Sequence, residues 1–232
     1  VESILSPDEW TALMLSLKVS TIAVGASLPL GVWVAALLAR SNMPGLWIVN
    51  AIVHLPLILP PVVTGYALLL TFGRRGFIGQ YLDQYLGFTF AFQWTGAALA
   101  AAVMSFPLMV RAIRLAIEAV DPKLEHAAST LGASRIEVFF TVTLPLILPG
   151  VIAGMILAFA KAMGEFGATI TFVSNIPGRT QTLPSAIYSF LQVPGAELQA
   201  ARLAGISVVV AVGALVISEF VARRVAKRIG GA

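Results

Sequence analysis

Five long, continuously apolar stretches dominate this chain, at residues 14–39, 46–72, 95–117, 146–173 and 203–222. Each reaches the roughly 20 residues that a helix needs to cross the hydrocarbon core of a bilayer, about 30 Å thick. Inside lipid every backbone amide and carbonyl must be satisfied within the protein, so only helices and closed barrels can span. Membrane barrels show short segments of alternating polarity, whereas these runs are unbroken, and helices are predicted. The composition agrees: 58% of residues are hydrophobic and 11% charged, far from the roughly 45–50% apolar and 25% charged of soluble domains. The expectation is an all-α integral membrane protein. It is a polytopic bundle of five transmembrane helices, with length enough for a sixth, forming one membrane domain over residues 1–232.

Several function classes fall away at this point. The chain has no cysteine, and its two histidines, His54 and His126, are too few for a histidine-rich metal site, so no metal and no resident cofactor is expected. The net charge of +4 is accounted for by loops facing an anionic leaflet, and no nucleic-acid partner is predicted. The opening VESILSPDEW has no basic region before an apolar run and does not read as a cleavable signal peptide. No GxxxxGK[ST] loop, HExxH or GxSxG occurs. The chain is therefore not expected to be an enzyme or to bind ATP itself.

Basic residues choose the orientation. With the N-terminus outside, Arg40, Arg111, Arg114, Lys123, Arg135, Arg223, Arg224, Lys227 and Arg228 lie in the cytoplasm, against Arg74, Arg75, Arg179 and Arg202 outside. That excess fits the rule that cytoplasmic loops carry the Lys and Arg, and it places the C-terminal Ala232 inside. Pro29, Pro56, Pro60, Pro61 and Pro107 fall within spans. Each removes a backbone donor, which reads either as packing kinks or as a water-lined pathway. On the outer side LPSAIYSFLQ is short enough for an interfacial helix.

The cytoplasmic stretch 121–145 is the most informative. Asp121 followed by Pro122 is a helix start, because the carboxylate can accept from the free first-turn amides and proline suits the first helical position. Leu124, Ala127, Ala128 and Leu131 recur at helical spacing on one face, and Gly132 is the natural terminator. Ser134 and Glu137 form a capping box that opens a second short helix. Two short helices hinged at Gly132, carrying a face of small residues, suit docking into a partner's groove.

The segment EHAASTLGASRIEVFFTVTLPLILPG, residues 125–150, resembles the "EAA" loop of permease subunits of ABC importers. Ala127, Ala128, Gly132, Leu144 and Pro145 match that pattern at its spacing, and Val142 stands for its isoleucine. His126 occupies the place of the first glutamate, with Glu125 one position earlier, so that either is the candidate polar contact. The segments GEFGATITFVSNIPG, HLPLILPPVVTGY and MSFPLMVRAIRLAIE are similar to the molybdate branch of that family. The resemblance implies a multi-pass permease of the bacterial inner membrane for a tetrahedral oxyanion, molybdate or tungstate, with sulfate and thiosulfate permeases as close relatives. It also implies two cytoplasmic ATPase subunits, which bind the ATP and Mg, and an extracytoplasmic oxyanion-binding protein. Coupling to the ATPase then falls to Glu125, His126, Ala127, Ala128, Leu131, Gly132, Leu144 and Pro145. One docking segment per chain and two ATPase subunits call for a homodimer.

A stand-alone secondary transporter is the competing class, and it would carry ionisable groups in its spans. Lys18, Lys161 and Glu165 are the candidates here, with Glu219 near a span end. Lys161 and Glu165 lie four apart on one helical face. A charge at the bilayer centre costs about 2.5–3.5 kcal/mol on insertion scales. The pair is read either as a structural brace or as weak electrostatic guidance of an anion along a translocation pathway.

Overall fold

The computed structural model describes residues 5–230, and every regular element among them is helical. The ends expected outside and inside, Glu2 and Ala232, lie beyond the described residues, as do the side chains of Arg223, Lys227 and Arg228.

The first helix, α1 (Pro7–Arg40), begins at a capping box: the Ser6 hydroxyl accepts from the Glu9 amide at 3.3 Å, and the Glu9 carboxylate accepts from the Ser6 amide at 2.6 Å. The second apolar stretch is two helices, α2 (Leu46–Ile58) and α3 (Pro61–Phe72), bent by 115°. This corrects the single helix expected over 46–72. Pro60 and Pro61 donate nothing to a helical ladder and drive the residues before them to extended geometry. Leu59 (ψ 145) and Pro60 (ψ 135) have taken it. A short α4 (Gly79–Leu86), not foreseen, lies in the following loop.

Helix α5 (Trp94–Glu118) is the axis of the bundle. It is the most enclosed of the long helices, with 61% of its apolar window buried, and it packs on both α1 and α8 (Leu144–Met163). Its first half presents Ala97, Ala98, Ala100 and Ala101, all buried, so that neighbouring backbones approach closely. Its second half buries Met109, Val110, Ile113 and Ile117 against Val34 and Ala35 of α1 and Ile147, Val151 and Ala158 of α8.

Between α5 and α8 lie α6 (Pro122–Thr130) and the short α7 (Arg135–Val138), which runs through a π turn (Phe139–Thr143) directly into α8. The second member of the expected helix pair is thus the beginning of a span, and Arg135–Met163 forms one crossing helix of 29 residues. Pro145 has no amide to give the Thr141 carbonyl, and the ladder slips one register just before it, with the Leu144 amide bonded to the Phe139 carbonyl.

The fourth apolar stretch also breaks. α8 stops at Met163, and a separate α9 (Gly167–Val173) follows the Gly164–Phe166 turn. Helix α10 (Leu183–Leu191) is the expected short outer helix, and α11 (Glu197–Gly230) is the last span, longer than the 203–222 read from sequence. The broken spans meet: a Cβ on Gly65 of α3 would lie 2.5 Å from the Ala168 carbonyl of α9, so only glycine allows this approach.

Side chains from distant parts of the sequence tie the ends of the bundle. At one end Arg202 of α11 grips Glu9 of α1 with both carboxylate oxygens engaged, at 2.7–3.0 Å, and Glu9 is fully buried. Lys18 sits 3.8 Å over the Trp94 ring, placing the start of α5 at this same end. Hydrogen bonds to a charged group contribute roughly 1.5–3 kcal/mol where they are desolvated. Glu9→Gln is therefore expected to lower the thermal midpoint in detergent by several degrees, while Asp8→Asn, at an exposed neighbour, should leave it unchanged. A scanning melt of both variants checks this.

Candidate functional site

Asp121 caps α6 by accepting from the Lys123 amide at 2.9 Å, with Pro122 at the first helical position. Gly132 has φ +94, the left-handed conformation that ends a helix and that a side chain adopts at a steric cost of about 1–2 kcal/mol. The Ser134–Glu137 capping box is formed in both directions, at 3.3 and 2.6 Å.

The two candidate polar contacts diverge. The Glu125 carboxylate turns into the protein: its Oε1 accepts from Thr143 Oγ1 at 2.9 Å and from Arg40 Nη2 at 3.4 Å, and the same Arg40 nitrogen donates to the Val120 carbonyl at 2.9 Å. One arginine and one glutamate therefore join the end of α1, the second residue after α5, the middle of α6 and the foot of α8. His126 faces outward with Ala127, Thr130 and Leu131, and Leu131 is 90% exposed. Ala128 is half-buried against the bundle. Leu144 packs into the core beside α5, and Pro145 stands exposed on the first turn of α8. Leu124 and Ile136 extend the outward apolar surface around the hinge.

Lys161 and Glu165 straddle the break between α8 and α9, so they do not share one continuous helix, yet they meet at 2.8 Å. Glu165 is buried, and its other oxygen accepts from the Ala168 amide at 3.0 Å, satisfying a first-turn donor of α9. Lys161 is about one-third exposed. The carboxylate thus holds the turn together and is itself held by the ammonium.

Residues 27–230 match the family of binding-protein-dependent transport system inner membrane components. The chain belongs to that family. It is 62% identical to the molybdenum transport system permease protein ModB of Escherichia coli (strain K12) over 98% of this chain and 99% of that protein. The corresponding permease protein of Haemophilus influenzae is 56% identical over 96% of this chain and 97% of its own length. A solved bacterial ABC transporter that imports alginate superposes on it with a TM-score of 0.73 at 20% identity, covering 95% of this chain and 80% of that one. The last likeness extends to the fold.

Membership of this permease family removes the stand-alone secondary transporter from consideration. The outward face around Gly132 carries His126, Ala127 and Leu131, whereas Glu125 is engaged in an internal tie. Arg40 gave no sequence signal for this contact, because it is 85 residues away from Glu125. Glu125→Ala should release α6, raising amide exchange over residues 122–131 by roughly five- to tenfold, which corresponds to about 1–1.4 kcal/mol. His126→Ala should leave exchange there as it is. Hydrogen-exchange mass spectrometry on both variants decides.

Proposed function

We propose that this chain is the transmembrane permease of an ATP-driven importer for a tetrahedral oxyanion, molybdate first and tungstate with it. The observation that carries this reading is the 62% identity, along nearly the whole of both chains, to a permease named for molybdenum transport. The relatives named here share that substrate, which favours molybdate over sulfate and thiosulfate. In this reading the chain works as a homodimer in the bacterial inner membrane, with its N-terminus outside. Two cytoplasmic ATPase subunits bind and hydrolyse ATP with Mg, and an extracytoplasmic binding protein delivers the anion.

The coupling segment is residues 121–145. His126, Ala127, Leu131 and Gly132 form its outward contact, Ala128 and Glu125 hold α6 to the bundle, and Leu144 and Pro145 open the span that follows. ATPase closure would move α6, and the Arg40–Glu125–Thr143 tie would carry that movement to α1, α5 and α8 together. Ala127 is exposed and small, so Ala127→Trp should hold the segment off its groove. Gly132→Val should misalign it, since a β-branched residue fits φ +94 poorly. Reconstituted with ATPase and binding protein, both variants are expected to insert normally and lose at least tenfold in molybdate uptake. Normal uptake with substrate-stimulated hydrolysis in both would refute the coupling role.

Lys161 is the proposed point of electrostatic guidance. A strong anion site in a pathway would hinder release, and an ammonium already partnered by Glu165 gives a weak one. Lys161→Met is expected to slow uptake several-fold, beyond what the fall in melting temperature from leaving buried Glu165 unpaired accounts for. A fall in melting temperature with uptake unchanged would make the pair a brace only.

A further inference from the structure

Helix α5 carries Arg111, Arg114, Leu115 and Glu118 at helical spacing on one face, and α2 presents Asn50 and His54 opposite them. Between the two helices these six residues line a cavity of about 320 Å³, within the range of small-ligand pockets. The transport reading uses none of them.

The polar groups of this cavity are ordered in a particular way. Arg114 donates from Nε to Glu118 at 2.7 Å and from Nη1 to the Asn50 side-chain carbonyl at 3.3 Å, which fixes its guanidinium across the gap between the helices. The Asn50 main-chain carbonyl can only accept, so His54 Nδ1, 2.9 Å away, is the protonated nitrogen and the imidazole is held against α2 as part of the wall. Glu118 neutralises Arg114. Arg111 has no carboxylate, carbonyl or hydroxyl within hydrogen-bonding distance among the described residues, although it lines the same cavity. An exposed guanidinium at the edge of an open cleft between two helices, with all five N–H donors unspent, is the residue type that takes tetrahedral oxyanions in bidentate fashion.

We propose that the cleft formed by Arg111, Arg114 and Asn50 is a binding site for a tetrahedral oxyanion. Arg111 is its anchor and supplies the unbalanced charge, Arg114, already paired with Glu118, can add only its remaining N–H donors, and the Asn50 side-chain amide is its polar wall. The ligand chemistry is one central atom with terminal anionic oxygens, and two sources offer it: the phosphodiester of an anionic phospholipid at the leaflet surface, or a free oxyanion from solution. The proposal depends on charge, donors and space in this cavity, and it stands apart from the identity of the transported substrate.

The test uses the full chain purified in detergent, as wild type, Arg111→Gln, Arg111→Lys and Arg179→Gln. The last variant removes an exposed arginine outside the cavity and serves as the control. One arm titrates inorganic molybdate by calorimetry, and the other measures phosphatidylglycerol retained in native mass spectra. The expected result is that wild type and Arg179→Gln bind in at least one arm. Arg111→Gln should weaken that binding tenfold or more, and Arg111→Lys should fall between, because the lysine keeps the charge without the planar fork. Loss in the lipid arm identifies a headgroup site, and loss in the molybdate arm a site for free oxyanion. Should Arg111→Gln fail to fold, the comparison of Arg111→Lys with wild type carries the same decision. Absence of wild-type binding in both arms, or binding by the Arg111 variants as tight as wild type in both, overturns the proposal. Uptake does not enter, so the outcome is separable from that of the transport reading.

Discussion

A polar backbone group inside a bilayer has no water to fall back on, and the arrangement of this chain follows from how that demand is met where its helices stop. Unbroken helix meets it automatically along α1, α5 and most of α8. Each interruption needs a specific donor or acceptor in its place. Glu165 supplies an oxygen to the first turn of α9. At the α2–α3 bend Pro60 and Pro61 bring no amides that need satisfying, and the Pro60 carbonyl takes the Val63 amide at 2.9 Å. Some hydroxyls within spans return to their own helix, as Ser27 does to the Ala23 carbonyl, Thr171 to Gly167 and Ser207 to Leu203, whereas those of Ser20, Thr64 and Thr95 are buried without a protein partner among the described residues.

Two interruptions placed side by side do more than either alone. Pro61 opens α3 and Gly167 opens α9, and a Cβ on Gly167 would come within 2.7 Å of the Pro61 ring. Non-helical backbone at membrane depth is tolerated where it is buried in protein or lines a water-filled cavity. Here the two breaks pack against one another, and the Lys161 side chain lies beside them about one-third exposed. The proposed guidance of an anion and the observed brace are therefore two faces of one structural solution.

Local chemistry was legible in the sequence wherever a signal and its effect lie within a few residues. Asp121–Pro122, Gly132 and the Ser134–Glu137 box each predicted an element end that the structure has. Five apolar stretches gave the membrane class, and four long helices with one bent pair correspond to them. What periodicity missed was magnitude and partnership. From sequence the prolines read as packing kinks or as a water-lined pathway, yet two consecutive residues without amides, each extending its predecessor, turn the chain by 115°. Gly164 at the end of α8 was visible as a residue but not as a stop, because apolarity continues straight through it. The Glu9–Arg202 grip spans 193 residues of sequence, and no spacing rule reaches that far. For Glu125 the motif pointed outward, and only the position of Arg40 in space reveals that the acid is held within.

The continuity of α7 with α8 has a mechanical side. Helix is stiff along its axis, and 29 residues at 1.5 Å each make a rod of about 43 Å from Arg135 to Met163. Displacement imposed beside Gly132 would arrive at the Lys161 turn almost unattenuated, less whatever the π turn absorbs. That turn is a compliant joint in the rod, as is the position of Pro149, and Thr143 within the turn is clamped to Glu125. With the clamp closed, load passes straight through. With it open, the same turn would work as a clutch, leaving the far end at rest while the near end moves.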